Sequence, residues 1–243
     1  MIKFGPSGNS ESFYLQGHKS SIEMPRWLNN MGLTAYEYQC NKGIKIKQET
    51  AQKIGTEALE NNIALSIHAP YYISMASEEL LKRENSKKYI ISSMVVAKWM
   101  GANKIVIHVG SCSKMDRTKA LTLAIGLMKE VIYEADNLNL SDVLLCPEVL
   151  GKINQIGSLE EILSICKIDD RMIPTIDFGH IHAREMGCLN TVEDFENVLI
   201  KIENELGQER LRNIHCHFSK VEYTKGGERK HVTLEDIGYG PDF

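Results

Sequence analysis

Ile2-Lys3-Phe4-Gly5-Pro6-Ser7-Gly8-Asn9-Ser10 is a short apolar run that breaks into a glycine-containing turn. An open, doubly wound nucleotide-binding sheet would place the spacing Gly-x-Gly-x-x-Gly at this point and open a helix on it. The stretch has neither the spacing nor a following segment of helical period. Six further runs of strand character succeed it, Ala35–Gln39, Ile63–His68, Lys104–Val109, Asp142–Glu148, Met172–Asp177 and Asn213–Phe218, about 30 to 40 residues apart. Apolar residues recur at three and four over Lys87–Met100, which Gly101 ends, and over Arg117–Ala135. Ser158-Leu159-Glu160-Glu161 is a capping box that opens another helix. Repeated βα units without the phosphate turn predict a (β/α)8 TIM barrel.

The 243 residues are 43% hydrophobic and 25% charged, with no Ser/Gly/Pro linker and no shift of composition, so one domain over residues 1–243 is expected. No apolar run approaches the roughly 20 residues that cross a bilayer. No secretory core precedes the Gly5-Pro6 break, and a cytoplasmic protein is expected. The six cysteines form no Cys-x-x-Cys pair and read as reduced thiols. A net charge of −4 gives no global nucleic-acid footprint, although a local basic patch is compatible with it. Only seven strands can be placed. From Ser219 to Phe243 the sequence offers Val221-Glu222-Tyr223 and no later apolar run. The eighth strand is therefore expected to be missing, with the sequence truncated at its C-terminus by about one βα unit or the gap covered by a neighbour.

Seven of the eight histidines fall at or just past the ends of these runs or in the last loop, His18 being the exception. With period-two alternation, Ala64, Ser66 and His68 share one face, as do Val106 and His108, Cys146 and Glu148, Thr175 and Asp177, and Asn213, His215 and His217. Five successive strands thus turn a titratable residue inward at the end where a barrel carries its active site, and His180 can fold over it. Burying such a cluster is costly unless something pairs with it, and a divalent cation does so through imidazole nitrogen and carboxylate oxygen. Without thiolate ligands the choice is Zn2+, Mn2+ or Fe2+. Cys146 is expected in the core, and Cys216, on the face opposite His215 and His217, is expected to pack.

His68-Ala69-Pro70-Tyr71-Tyr72, Ile107-His108-Val109-Gly110, Pro147-Glu148-Val149-Leu150-Gly151-Lys152 and Ile176-Asp177-Phe178-Gly179-His180 stand in this order, with His215 and His231 after them. The set resembles the endonuclease IV family, barrel enzymes that cut DNA 5′ to abasic sites through a trinuclear, usually zinc, cluster, and the resemblance implies two or three such ions here. The resemblance implies that His68 and His108 hold one metal, Glu148 bridges it to a second held by Asp177 and His215, and His180 and His231 hold a third. Where the family usually has Asp-x-His in the last loop, this sequence reads Glu228-Arg229-Lys230-His231, which makes Glu228 the candidate carboxylate there. The family's Gln-Arg-Trp DNA-contact stretch is replaced by Gln39-Cys40-Asn41-Lys42-Gly43-Ile44.

The partner implied is duplex DNA containing abasic sites, bound by a monomer. Glu148 is the candidate catalytic residue. Tyr71 and Tyr72 are candidates to line the gap of a missing base, and His217, two residues along the same face from His215, to meet substrate or support a ligand. Lys152 and Arg229, with Lys114, Arg117, Arg184 and Lys220, are candidates for phosphate contact. Two other readings stand beside this one. A sugar isomerase or epimerase of the xylose-isomerase-like barrels would use Glu148, Asp177, His180 and His215 with one metal, and a metal-dependent binding protein would use them without turnover.

Overall fold

The computed structural model describes residues 2–242, and the protein divides into two compact units. Among the described residues the first comprises 2–73, 87–107 and 131–145, and the second 74–86, 108–130 and 146–242.

In the first unit, the helices α1 (Glu11–Leu15), α2 (Met24–Asn30) and α3 (Gln48–Glu60) alternate with the strands β1 (Ala35–Gln39) and β2 (Ala64–His68). The strand β3 (Lys104–Ile107) follows the helix α4 (Leu80–Met100), and β4 (Leu144–Pro147) follows α5 (Arg117–Asn137). The strands form one sheet in the order β1-β2-β3-β4. β1 and β2 pair in parallel from Ala35↔Ala64 to Gln39↔His68, and β2 meets β3 at Ile67↔Ile105 and His68↔Val106. Leu65, Ile67, Ile105 and Ile107 are buried, as are Ile54, Ile90 and Met94 on the helices, the burial on both faces expected of parallel strands under crossover helices.

The run Ile2–Gly5 is extended but is not a regular strand. It lies along β1, where the Phe4 carbonyl accepts from the Ala35 N–H (2.9 Å) and the Pro6 carbonyl from Glu37 (3.1 Å), and Ser7 forms an isolated bridge with Glu37. Pro6 has no N–H to continue a ladder, which is why the pairing stays fragmentary.

The second unit holds the short parallel pair β5 (Thr175–Asp177) and β6 (His215–His217), in register Thr175↔His215 and Asp177↔His217. Glu148 bridges in parallel to Thr175. Around them lie α6 (Leu159–Cys166), α7 (Phe178–Arg184), α8 (Val192–Leu206) and α9 (Gln208–Arg212), and the antiparallel hairpin β7 (Lys220–Thr224) and β8 (Gly227–Val232). The sequence reading missed this hairpin, because its strands are mostly polar and only the Gly226-Gly227 turn announces it. Among the described residues no eighth parallel strand follows β6. Cys146 is buried as expected, whereas Cys216 is exposed, contrary to the expectation that it packs. None of the six cysteines is in a disulfide, and no helix among the described residues is long and apolar enough to cross a membrane.

The capping box of α6 is present in both directions, Glu161 N–H to Ser158 Oγ and Ser158 N–H to Glu161 Oε2 (3.0 Å). Glu161 also accepts from Gly157 N–H and takes a two-pronged contact from Arg117 at 2.6 and 2.8 Å. Burial alone would raise its pKa, but the bonds from Arg117, Ser158 and Gly157 outweigh burial and hold it below the usual carboxylate range. Its stabilising contribution is therefore present above the unfolded-state pKa and lost as pH falls through the lowered folded value. Glu161→Ala is expected to cost about 2 kcal/mol, read from the urea midpoint at neutral pH, with the gap to wild type shrinking under acid conditions.

Candidate metal centre

Glu148 of the second unit follows β4, is 1% exposed and divides its two oxygens between two imidazoles. Oε1 lies 2.8 Å from His217 Nδ1 and Oε2 2.8 Å from His108 Nε2. Burial by itself would push the Glu148 pKa up, but the facing imidazoles of His217 and His108 more than reverse that and hold it well below the usual range.

Asp177 ends β5 and caps α7. One oxygen, Oδ1, accepts the His180 N–H at 2.8 Å, and Oδ2 lies 3.4 Å from His180 Nδ1 and 3.9 Å from His217 Nδ1. Because Asp177 and His217 are partners in the parallel register, their side chains emerge side by side, while His215 sits two pairs earlier against Thr175. Glu148, Asp177 and His217 each bring one ligand atom within 4.8 Å of the others.

His180, Glu228 and His231 form a second group within the same limit. A carbonyl only accepts, so the 2.8 Å contact of His180 Nδ1 with the Val149 oxygen fixes the proton on Nδ1. That leaves Nε2 buried without a hydrogen-bond partner, 3.6 Å from Glu228 Oε2. The rings of His180 and His231 stand 5.2 Å apart, and His231 Nδ1 is held by Ser219 Oγ at 2.8 Å. Burial alone would lower the His180 pKa, but the carboxylates of Asp177, Glu148 and Glu228 raise it further than burial lowers it. A fixed tautomer, an orphaned buried nitrogen and a facing carboxylate are the donor set of a divalent cation, and the residues fit one.

The approach of the hairpin is as close as glycine permits. A Cβ on Gly151 would stand 2.6 Å from Glu228 Cβ and 3.1 Å from His180 Cδ2, and one on Gly227 (φ +87°) would stand 2.1 Å from the Gly151 oxygen. Only residues without side chains let the loop after Glu148 and the turn of the hairpin lie in contact.

The remaining residues expected at the site are distributed over both units. His68 ends β2 in the first unit, buried, with Nδ1 2.8 Å from the Ala69 oxygen. Tyr71 and Tyr72 of that unit are exposed and meet edge to face at 5.8 Å. Lys152 is exposed, and Arg229 pairs with Glu222. Lys220 is buried and engaged with the Asp236 oxygen and Asp242. Arg117 and Arg184 do not reach for solvent phosphate, since both are occupied by loop carbonyls and, for Arg117, by Glu161. Sequence reasoning passed over Glu37, a buried carboxylate of β1 held by Ser7 Oγ (2.5 Å) and Gln39 Nε2 (2.9 Å). An acidic residue amid an apolar run was the signal for it.

The profile of the xylose isomerase-like TIM barrel family matches residues 25–243. An uncharacterized protein of Methanocaldococcus jannaschii is 35% identical over 239 residues, covering 98% of this chain and 84% of that one. A probable endonuclease 4 of Ureaplasma urealyticum is 28% identical over 187 residues, 74% of this chain, which spans only 59% of that relative's length. Among solved structures, endonuclease IV from Thermus thermophilus superposes with a TM-score of 0.61 at 17% identity, over 84% of this chain and 71% of the other. The 3-keto-D-glucoside 4-epimerase of E. coli does so with 0.67 at 13%, over 90% and 79%.

Proposed function

The chain belongs to the xylose isomerase-like TIM barrel family, and from that premise we propose that it is a metal-dependent phosphodiester hydrolase of the endonuclease IV type, acting on DNA at abasic sites. One observation carries the reading. The second unit offers two adjacent ligand groups, Glu148–Asp177–His217 and His180–Glu228–His231, where a one-metal sugar epimerase needs one. His180 joins them, with Nδ1 3.4 Å from Asp177 and 3.8 Å from Glu148, and Nε2 directed at Glu228.

In this reading each group holds one divalent cation, zinc or another metal suited to nitrogen and oxygen ligands. When bound, such ions supply a water of lowered pKa and neutralise charge on the attacking and leaving oxygens of a phosphodiester. The protein's own residues do the rest. Asp177 commits one oxygen to the α7 N-terminus and keeps the other for the centre, Val149 fixes the His180 tautomer, and Ser219 orients His231. Tyr71 and Tyr72 supply exposed rings that can stack where a base is absent. Lys152 is the basic side chain nearest in sequence to Glu148 and the candidate phosphate contact.

The test is a labelled duplex with one abasic site, incubated with protein loaded with Zn2+ or Mn2+, beside the same duplex without the lesion and a panel of keto sugars. A single cut 5′ to the lesion that EDTA abolishes is expected. Sugar epimerisation with one metal per protein molecule, and no cut, would replace this reading with the epimerase.

A further inference from the structure

We infer that Arg184 is a positioning residue for the His180–Glu228–His231 group, acting as a clamp that holds the loop after Glu148 against the β7–β8 hairpin. The inference rests on the metal-binding reading above and adds to it a part that lies outside the ligand set.

Arg184 is 9% exposed and is spread over backbone oxygens. Its Nη1 donates to Leu150 O at 2.9 Å and Lys152 O at 2.8 Å, and its Nη2 to Ile153 O at 3.4 Å and Gln155 O at 3.3 Å. Arg117 takes two of the same oxygens, Ile153 O and Gln155 O, from its own side at 2.8 and 2.7 Å, so Leu150 O and Lys152 O are the pair that Arg184 holds unshared with it. The loop so gathered then grips the hairpin. Ile153 N–H donates to Gly226 O at 3.1 Å, Glu228 N–H donates to Gly151 O at 3.0 Å, and Lys152 bridges Gly227. Glu228 is therefore pinned through its own backbone to the residue next to Leu150, the first carbonyl that Arg184 holds.

The other end of the connection is the helix itself. Arg184 lies four residues after His180 on α7, one turn along the same side of the helix. His180 in turn donates to Val149 O, the carbonyl immediately before the clamped segment. One short helix thus fixes His180 and, one turn later, the loop to which the Glu228 backbone is hydrogen-bonded. The distance between the two ligands is set by α7, the 149–155 loop and the hairpin closing on one another, with Arg184 as the side chain that ties the first to the second. A lysine has the charge but a single point of donation and cannot span carbonyls that spread from Leu150 to Gln155.

The test is titration of metal-free protein with Co2+, followed by its d–d absorption, and with Zn2+ by equilibrium dialysis, on wild type, Arg184→Met, Arg184→Lys and Arg210→Met. Arg210 is the matched control, since it also binds backbone oxygens, Cys166 O at 2.7 Å and Leu206 O at 3.0 Å, away from the two ligand groups. Thermal melting of each metal-free variant reports how much stability it has lost. The expected result is two bound equivalents in wild type, and in Arg184→Met one equivalent weakened by about tenfold or more while the other is unchanged. Arg184→Lys should fall between, and Arg210→Met should keep both.

Should Arg184→Met fail to fold, Gly227→Ala replaces it. Its Cβ would drive the hairpin turn off the Gly151 oxygen and should remove the same equivalent. Unchanged affinities in the Arg184 variants would overturn the clamp and leave the metal reading standing, as would equal losses in Arg184→Met and Arg210→Met. Binding of no metal by wild type would overturn both.

Discussion

Glu148→Gln is expected to abolish metal-dependent cleavage, by about 10³-fold or more, and to lower the metal content of the protein. The reason lies in how Glu148 uses its two oxygens. One faces His217 and the other His108, each at 2.8 Å, so the carboxylate presents anionic oxygen in two directions at once. An amide presents oxygen in one direction and an N–H2 in the other. That N–H2 would point at an imidazole or a cation and could ligate neither as an anion does. The surroundings cannot compensate, because Glu148 is buried and bulk solvent does not reach it to replace the lost charge. Metal analysis on the purified variant and nicking of an abasic duplex check the result together. Full metal content with full activity would remove Glu148 from the centre.

The parity of the strands was readable because period-two alternation is a property of the sequence alone. Glu148 and Asp177 were located from it, and the cap of α6 from the spacing of Ser158 and Glu161. What sequence could not supply was register. His215 and His217 share one face of β6, and nothing local says which stands beside Asp177; the pairing Asp177↔His217 is a tertiary fact. The resemblance assigned His215 to that metal, whereas the geometry groups His217 with Glu148 and Asp177.

The hairpin was hidden for a different reason. Lys220–Val232 carries its strand character in backbone pairing while most of its side chains are polar or charged, and a search for apolar runs passes over it. Yet the hairpin brings Glu228, three residues before His231, to His180. Arg184 was misjudged on charge alone. A sequence shows a cation, and only the fold shows that four carbonyls are waiting for it.

His180→Asn is expected to separate folding from metal binding at the second ligand group. The asparagine amide nitrogen falls close to the position of imidazole Nδ1, so the variant can keep donating to Val149 O, the bond that holds α7 to the loop. It has no atom at the place of Nε2. In the wild-type protein that nitrogen is buried and has no hydrogen-bond partner, a situation that costs about 1–3 kcal/mol for a polar group and persists in proteins where a ligand recovers it. Removing it should therefore leave the metal-free protein no less stable than wild type by more than about 1 kcal/mol. The same change should cost one metal equivalent and reduce metal-dependent turnover by about 10²-fold or more, since Glu228 and His231 alone make an incomplete donor set. Metal-free melting temperature, bound Co2+ and cleavage rate measured on one preparation decide the matter. A variant that loses stability without losing metal would show that His180 is a packing residue whose Nε2 faces Glu228 for structural reasons only.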